Sequence, residues 1–317
     1  MIVGVSPAIR RALVLAERYA RTRLPILLVG ATGTGKELFA EHIHERSGRP
    51  GPLVDVNCSA LPRDMVESLF FGHRRGAFTG AVESSVGHVE RSDGGTLFLD
   101  ELASLVPEAQ GKLLRALESG DVQPLGAAVK RPVDLRVVSA VQDEIWTALD
   151  RGRFRRDLFQ RVAGVVIELP PLAARPEDII PLAEHFANQQ GRRFEGGVEG
   201  MLLNHAWPGN VRELRMAIER AGELVEDGTL PPRAVAEAIA LGGPGPSTSG
   251  GGGHGLSSVL TRDDLLAVLE RTDWDVDRAA TALQIGRTTF FKRLTALGIS
   301  MRAKPKFTRS REFTELS

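Results

Sequence analysis

Gly30-Ala31-Thr32-Gly33-Thr34-Gly35-Lys36-Glu37 has the residue types and spacing that hold a chain of phosphates. Glycines let successive backbone N–H groups turn inward around an anion, and the helix that follows adds its positive N-terminal end. Lys36 can reach the outer phosphates as a point charge. The next residue is Glu37 rather than Ser or Thr, so the hydroxyl that often binds Mg²⁺ is missing and the metal needs another ligand. Gly94-Gly95-Thr96-Leu97-Phe98-Leu99-Asp100-Glu101, an apolar run ending in two carboxylates, supplies one. Asp100 would hold Mg²⁺, directly or through water, and Glu101 would polarise an attacking water. Each pattern alone has a bland counterpart, a glycine-rich surface turn or a strand that happens to end in Asp. Together they point to hydrolysis of a nucleoside triphosphate.

The flanking sequence has the periodicities needed to place these groups. Ile26-Leu27-Leu28-Val29 leads into the first motif as a strand, and the amphipathic run 38–43 leads out as a helix. Residues 53–57, 134–140 and 165–169 read as further strands of near-continuous Val, Ile and Leu. Strands of that composition separated by helices imply a parallel sheet covered on both faces. Helices are expected from Pro7 to Ala20, over 61–71 with Met65, Leu69 and Phe70 on one face, and over 107–118 with Leu113, Leu114 and Leu117 inward. A loop is expected over 120–132. Pro170-Pro171 ends this unit, and residues 176–240 read as all helix. There Ile179, Leu182, Ala183 and Phe186 share a face, and a turn at Trp207-Pro208-Gly209-Asn210 opens a helix carrying Leu214, Ile218, Ala221 and Leu224.

A chain of 317 residues with a hydrophobic share of 42% has room for two or three domains and a sizeable core. The zero net charge says nothing about partners, so only the distribution of charge informs. A single cysteine, Cys58, excludes a disulfide framework within the chain and fits a reducing cytoplasm. No C-x-x-C or H-E-x-x-H spacing occurs, and His42 and His44 read as solvated helix residues rather than metal ligands. No apolar run approaches a membrane span, and the N-terminus lacks a signal-peptide pattern.

Residues 242–258 are Gly, Pro and Ser rich without an Asp, Glu, Lys or Arg, the composition of a flexible linker. Beyond it, Thr261 and Asp264 resemble a capping box, and two short helices flank the turn Gln284-Ile285-Gly286 at helix-turn-helix spacing. From Gln284 to Arg311 there are eight Lys or Arg and no Asp or Glu, whereas Asp263, Asp264, Glu270, Asp273, Asp275 and Asp277 precede them. That polarity suits a DNA face, with Arg287, Thr288, Thr289, Lys292 and Arg293 on the recognition helix. A three-helix protein-interaction module is the alternative.

One stretch has no place in this scheme. Between Gly72 and Ala81 the helical pattern breaks, and Phe78 lies in a glycine-bracketed loop where no periodicity buries it. Gly76-Ala77-Phe78-Thr79-Gly80-Ala81 resembles the GAFTGA signature of bacterial enhancer-binding proteins, the NtrC-like AAA+ activators of sigma-54 RNA polymerase. The runs LFFGH at 69–73, GTGKE at 33–37, GGTLFLDE at 94–101, LPPL at 169–172 and WPGNVREL at 207–214 are similar to the family's other motifs, and the C-terminal unit to its Fis-type helix-turn-helix.

The resemblance implies an AAA+ P-loop NTPase: an α/β subdomain over 1–171 with a parallel sheet, a helical lid over 172–240, a linker over 241–258, an all-α DNA-binding domain over 259–300 and a tail over 301–317. It implies ATP and Mg²⁺, with residues 30–37 on the phosphates, Asp100 on the metal, Glu101 on the attacking water and Asn57 pairing with that glutamate. Arg155 and Arg161 would be arginine fingers supplied to a neighbouring subunit of a ring, usually a hexamer, and Arg212 the lid arginine. Residues 76–81 would contact sigma-54, and upstream double-stranded DNA would be the second partner. Ala140-Val141-Gln142 replaces the family's usual Ala-Thr-Asn or Ala-Thr-His, Gln123-Pro124-Leu125-Gly126 a segment usually carrying arginine, and Arg74-Arg75 a usual Glu-Lys pair. No receiver, GAF or FHA pattern precedes the ATPase, so regulation is expected from a partner or from sequence outside this chain. The expected function is ATP-driven remodelling of the closed sigma-54 promoter complex by a cytoplasmic, enhancer-bound activator. Its rivals are a DNA-binding regulator with a vestigial ATPase and a P-loop enzyme acting on a small molecule.

Overall fold

The computed structural model describes residues 2–242 and, beyond them, Val268, Leu269, Arg271, Thr272, Arg278 and Ala279. The chain divides into two compact units, Met1–Ser247 and Thr248–Ser317. In the second, Leu269 and Ala279 are buried and the Thr272 hydroxyl donates to the Val268 carbonyl at 2.8 Å. The proposed recognition residues Arg287, Thr288, Thr289, Lys292 and Arg293 lie outside the described residues.

The first unit is built on five parallel strands: β1 (Ile26–Val29), β2 (Leu53–Asn57), β3 (Thr96–Asp100), β4 (Arg136–Val141) and β5 (Val165–Glu168), in the order β2-β3-β4-β1-β5. Every residue of β1 and β4 is buried, as strands covered on both faces require. Side chains alternate between the two layers. Ile26 and Leu28 pack with Ile9, Ala16, Phe39, Ile43 and Phe98, while Leu27 and Val29 pack with Phe70, Leu97, Leu99, Leu113 and Phe154. Each fully buried Leu or Phe contributes about 1.5–3 kcal/mol, so the ends of these strands are firmly placed. Because all five strands run the same way, the groups following β1, β2, β3 and β4 emerge along one edge, where ligands of open α/β sheets bind.

The helices Ile179–Gln189, Val198–Asn204, Asn210–Glu223 and Pro232–Leu241 enclose a separate core around Leu182, Leu202, Trp207, Leu214, Ile218 and Val235. Residues 176–240 are not all helix, however. Arg193–Phe194 and Thr229–Leu230 pair as a short parallel ladder. Leu224 is exposed because it caps its helix rather than continuing the apolar stripe.

Three further expectations change. The helix expected over 61–71 is a 3₁₀ turn at Arg63–Met65 followed by Val66–Phe71; the change of pitch rotates Met65 to the surface and turns Val66, Phe70 and Phe71 inward. The loop 120–132 contains an antiparallel pairing of Asp121–Val122 with Arg131–Pro132, too short to show periodicity. His42 and His44 are half-buried rather than fully solvated. His42 sits 3.4 Å from Glu17, and His44 Nδ1 lies 2.9 Å from the Thr96 hydroxyl, where burial lowers its pKa. Among the described residues no helix is long and apolar enough to cross a membrane, and no cluster of His, Cys, Asp and Glu could hold a metal by itself.

Candidate functional site

The loop after β1 takes the conformation its glycines allow. Gly33 and Gly35 have φ of +77° and +104°, values that L side chains resist. At Gly33 a Cβ would also fall 2.3 Å from the Gly209 carbonyl oxygen, so the helical lid lies directly on the loop. The helix Lys36–Ser47 starts at Gly35 without a side-chain cap, leaving its first N–H groups to an anion. Lys36 Nζ donates to the carbonyls of Gly30 at 2.8 Å and Ala31 at 3.1 Å. Burial lowers the Lys36 pKa, and the Asp100 and Glu101 carboxylates act against that shift. The Thr34 hydroxyl donates to the Ala31 carbonyl instead of facing a metal.

A cleft of about 450 Å³ opens beside this loop, lined by Thr32, Gly33, Gly35, Lys36 and Glu37 on one side and by Asn57, Asp100, Glu101, Gln142 and Arg212 on the others. An uncapped helix start, a half-buried lysine and, lining the same cleft, Arg212 and two carboxylates fit a polyphosphate with a divalent cation. Asp100 Oδ1 accepts the Glu101 N–H at 2.9 Å, a bond that leaves Oδ2 untouched. A cation held here would need phosphate oxygens and waters to complete its coordination, since no cluster among the described residues could hold it alone. Glu101 has φ +50°, a strained value for a non-glycine residue.

Asn57 pairs in register with Asp100 across β2 and β3 and shares the cleft with Glu101. Its Oδ1 nevertheless accepts from the Ser59 N–H at 2.9 Å, the Ser59 hydroxyl at 2.7 Å and the Ala60 N–H at 3.3 Å, a local turn rather than a bond to Glu101. Where Ala140-Val141-Gln142 departs from the family's usual pattern, Gln142 reaches the cleft while Val141 is buried and accepts the Gly30 N–H through its carbonyl. Next to Asn57, Cys58 is buried and its thiol pKa is pushed up to about 12, first by burial and then by Asp100, Glu101 and Asp55. Raised that far, the thiol stays neutral at physiological pH and is a poor nucleophile. Iodoacetamide should therefore label native protein slowly and urea-unfolded protein at the rate of a free cysteine; mass spectrometry of the 58-containing peptide checks this.

Sequence reasoning missed a second, more apolar pocket of about 290 Å³. Ile2, Val3, Leu38, Phe186 and Val211 line it, and it shares Gly35, Leu38, Phe186 and Val211 with the phosphate cleft. Its walls come from the N-terminus, the loop helix and two lid helices, so no local pattern announces it. The one available signal was Phe186, which was expected to share a face with Ile179, Leu182 and Ala183 but, unlike them, is only half buried and lines both pockets.

Neither Arg155 nor Arg161, the two residues expected to be arginine fingers, lines the cleft. Arg155 is 51% exposed, with Nε and Nη2 donating to its own Asp157 at 3.0 and 2.7 Å. Arg161 is also exposed, its guanidinium donating to the Leu117 carbonyl.

The loop around Phe78 is held at its base and open at its tip. His73 and Ser85 exchange backbone bonds at 2.9 Å, the Arg74 N–H donates to Leu125, and the Leu125 N–H to Gly72. The Gly76 N–H donates to Ala81 and the Ala81 N–H to Phe78, closing the tip between glycines with φ of +79° and +98°. Ala81 is buried, whereas Ala77 and Thr79 are not, and Phe78 is 43% exposed against the edge of His73.

The sigma-54 interaction domain model matches residues 2–168, an AAA+ ATPase lid domain 173–249, and the Fis family of bacterial regulatory proteins 262–297. The chain belongs to the sigma-54 interaction domain family, with an AAA+ fold and a Fis-type C-terminal domain. It is 38% identical over 315 residues to the Nif-specific regulatory protein of Azotobacter vinelandii, matching 95% of this chain and 60% of that protein. It is also 38% identical to the transcriptional regulatory protein ZraR of Klebsiella oxytoca, matching 93% of this chain and 68% of that one. The chain thus spans about three fifths to two thirds of the length of these relatives. Among solved structures, NtrX from Brucella abortus in complex with ATP is similar with a TM-score of 0.67 and 31% identity, covering 94% of this chain and 69% of NtrX.

Proposed function

We propose that this protein is a sigma-54-dependent transcription activator that hydrolyses ATP and uses residues 76–81 to remodel the closed promoter complex. The observation that carries this reading is an exposed Phe78 on a loop anchored at its base and lying apart from the nucleotide cleft. A catalytic loop would be expected to face the cleft; this one offers an aromatic side chain to a partner. The Fis-type domain would bind upstream DNA through Arg287, Thr288, Thr289, Lys292 and Arg293, and a protein acting on polymerase and DNA works in the cytoplasm.

In the nucleotide site, Gly30 to Glu37 and Arg212 would bind the phosphates, and the apolar pocket would take the base. Asp100 would hold Mg²⁺, which supplies charge neutralisation to the phosphates. Glu101 would orient the attacking water. Arg155 and Arg161, outside their own cleft, would serve a neighbouring subunit, which implies a ring, most simply a hexamer. Asn57, bonded within its own turn here, would have to exchange partners to reach Glu101.

The test is ATP turnover and open-complex formation with sigma-54 holoenzyme at a promoter carrying the upstream site. Turnover without promoter opening would favour a small-molecule P-loop enzyme; DNA binding without turnover would favour a vestigial ATPase. Phe78→Ala should keep turnover within about twofold and lose the contact of a buried aromatic, about 1.5–3 kcal/mol. Sigma-54 binding in the presence of ADP–aluminium fluoride should fall about tenfold or more, and promoter opening with it. Wild-type opening by Phe78→Ala or Thr79→Ala would reduce the loop to a structural turn.

A further inference from the structure

The phosphate loop has no free carbonyl on its lid side. The carbonyls of Gly30 and Ala31 accept from Lys36, as described. That of Thr32 accepts Asn210 Nδ2 at 2.9 Å, that of Gly33 the Val211 N–H at 2.9 Å, and that of Thr34 Arg175 Nη2 at 3.0 Å. Three successive carbonyls are thus held by three donors from beyond β5. Asn210 and Arg175 are each only 3% exposed, so both donors are themselves shielded from bulk water.

Both donors are themselves fixed. Asn210 adopts φ +55°, and its Oδ1 accepts the Leu172 N–H at 2.7 Å. One side chain therefore joins the loop, the first turn of the lid helix and the strap leaving the sheet. Arg175 lies 3.6 Å from Asp178, whose carboxylate accepts from the Val5 N–H at 2.6 Å, the Ser6 N–H at 2.7 Å and the Ser6 hydroxyl at 2.7 Å. That network ties the loop to the segment that also walls the apolar pocket.

Peptide planarity turns these contacts into a functional device. In a trans peptide the C=O of one residue and the N–H of the next point in opposite directions, and the described residues contain no cis bond. Holding the carbonyls of 32, 33 and 34 toward the lid therefore turns the N–H groups of 33, 34 and 35 to the opposite side. Of those three, the Thr34 N–H has only a long contact of 3.4 Å to Ala31.

We infer that Asn210 and Arg175 are positioning residues of the phosphate loop, holding its carbonyls on the lid side so that lid docking and phosphate affinity form one equilibrium. This rests on the nucleotide-site reading above. The coupling is reciprocal: a phosphate chain that orders the N–H groups also tightens the lid, and a displaced lid frees the loop to flip its peptides.

The test uses the full chain with Asn210→Asp. Aspartate keeps an acceptor for the Leu172 N–H and tolerates positive φ, but sets a carboxylate oxygen against the Thr32 carbonyl. Hydrogen exchange in the absence of nucleotide should rise at Val211, whose N–H donates to the Gly33 carbonyl at 2.9 Å, while β1 and β4 stay protected. Calorimetric Kd values for ADP and ATP should rise about tenfold or more. Arg175→Lys, which keeps a charge beside Asp178, should act in the same direction and serves if Asn210→Asp fails to fold. Wild-type exchange at Val211 in the variant, or a rise spread evenly over lid and sheet, would overturn the inference. The exchange arm needs no nucleotide, so a wild-type protein that binds no ATP would sink the ATPase reading and leave this test standing.

Discussion

Arg155→Ala should lower ATP turnover by about 10³–10⁵, the range for arginine fingers in phosphoryl transfer, while leaving nucleotide affinity nearly unchanged. The backbone of Arg155 is fixed: its N–H donates to the buried Gln110 Oε1 at 2.9 Å, and Gln110 Nε2 donates to the Leu105 and Arg153 carbonyls. Its side chain, by contrast, is held only by Asp157 in open solvent. That pairing brings the Asp157 carboxyl down to about 2, chiefly through the Arg155 hydrogen bond. Surface pairs of this kind hold weakly against a stronger partner, so a phosphate presented by a neighbouring subunit can take the guanidinium. Arg155→Ala mixed with Lys36→Ala should recover part of the activity, because some interfaces then join an intact loop to an intact finger. Mixed assemblies that demonstrably form and stay inactive would show that Arg155 does not act in trans.

How much of this was legible in the sequence depended on how local the cause was. The loop at 30–37 and the Asp100-Glu101 pair could be read because glycine conformations and strand ends are short-range features, and the parallel sheet followed from the run composition of β1 and β4. Where two elements meet, the sequence was silent. The turn that occupies Asn57 Oδ1 depends on Ser59 and Ala60 folding back over the strand end. The apolar pocket needs Ile2 and Phe186 side by side, and the hold on the loop needs Arg175 and Asn210, each well over 130 positions away from it. Asn210 lies within the 207–214 run, yet only its φ of +55° and its two long-range bonds give it a task. Met65 failed for a local reason, since a 3₁₀ turn breaks the 3.6-residue count on which its assignment to the inner face rested.

Glu101→Gln should abolish most turnover, by about 10²–10⁴ if the carboxylate handles the proton of the attacking water, and should leave ATP bound at least as tightly as in the wild type. Shape is not what changes. Glutamine fills the same volume and keeps the backbone N–H that Asp100 Oδ1 accepts. It meets the same left-handed φ, about 1–2 kcal/mol above the helical region for any residue with a Cβ. The lost property is charge and basicity at one position of the cleft. Removing a carboxylate that faces Lys36 across the phosphate site also removes repulsion against a polyanion, which sets the sign of the affinity change. The variant should therefore accumulate with ATP intact and hold sigma-54 without a transition-state analogue, whereas the wild type should release it as ATP turns over. Glu101→Asp separates position from charge: it keeps the carboxylate but withdraws it by one methylene, and should be slow for want of reach. Single-turnover hydrolysis and sigma-54 retention on the same preparations decide the matter. Hydrolysis by Glu101→Gln at the wild-type rate would remove Glu101 from the chemistry and leave its strained backbone without a catalytic explanation.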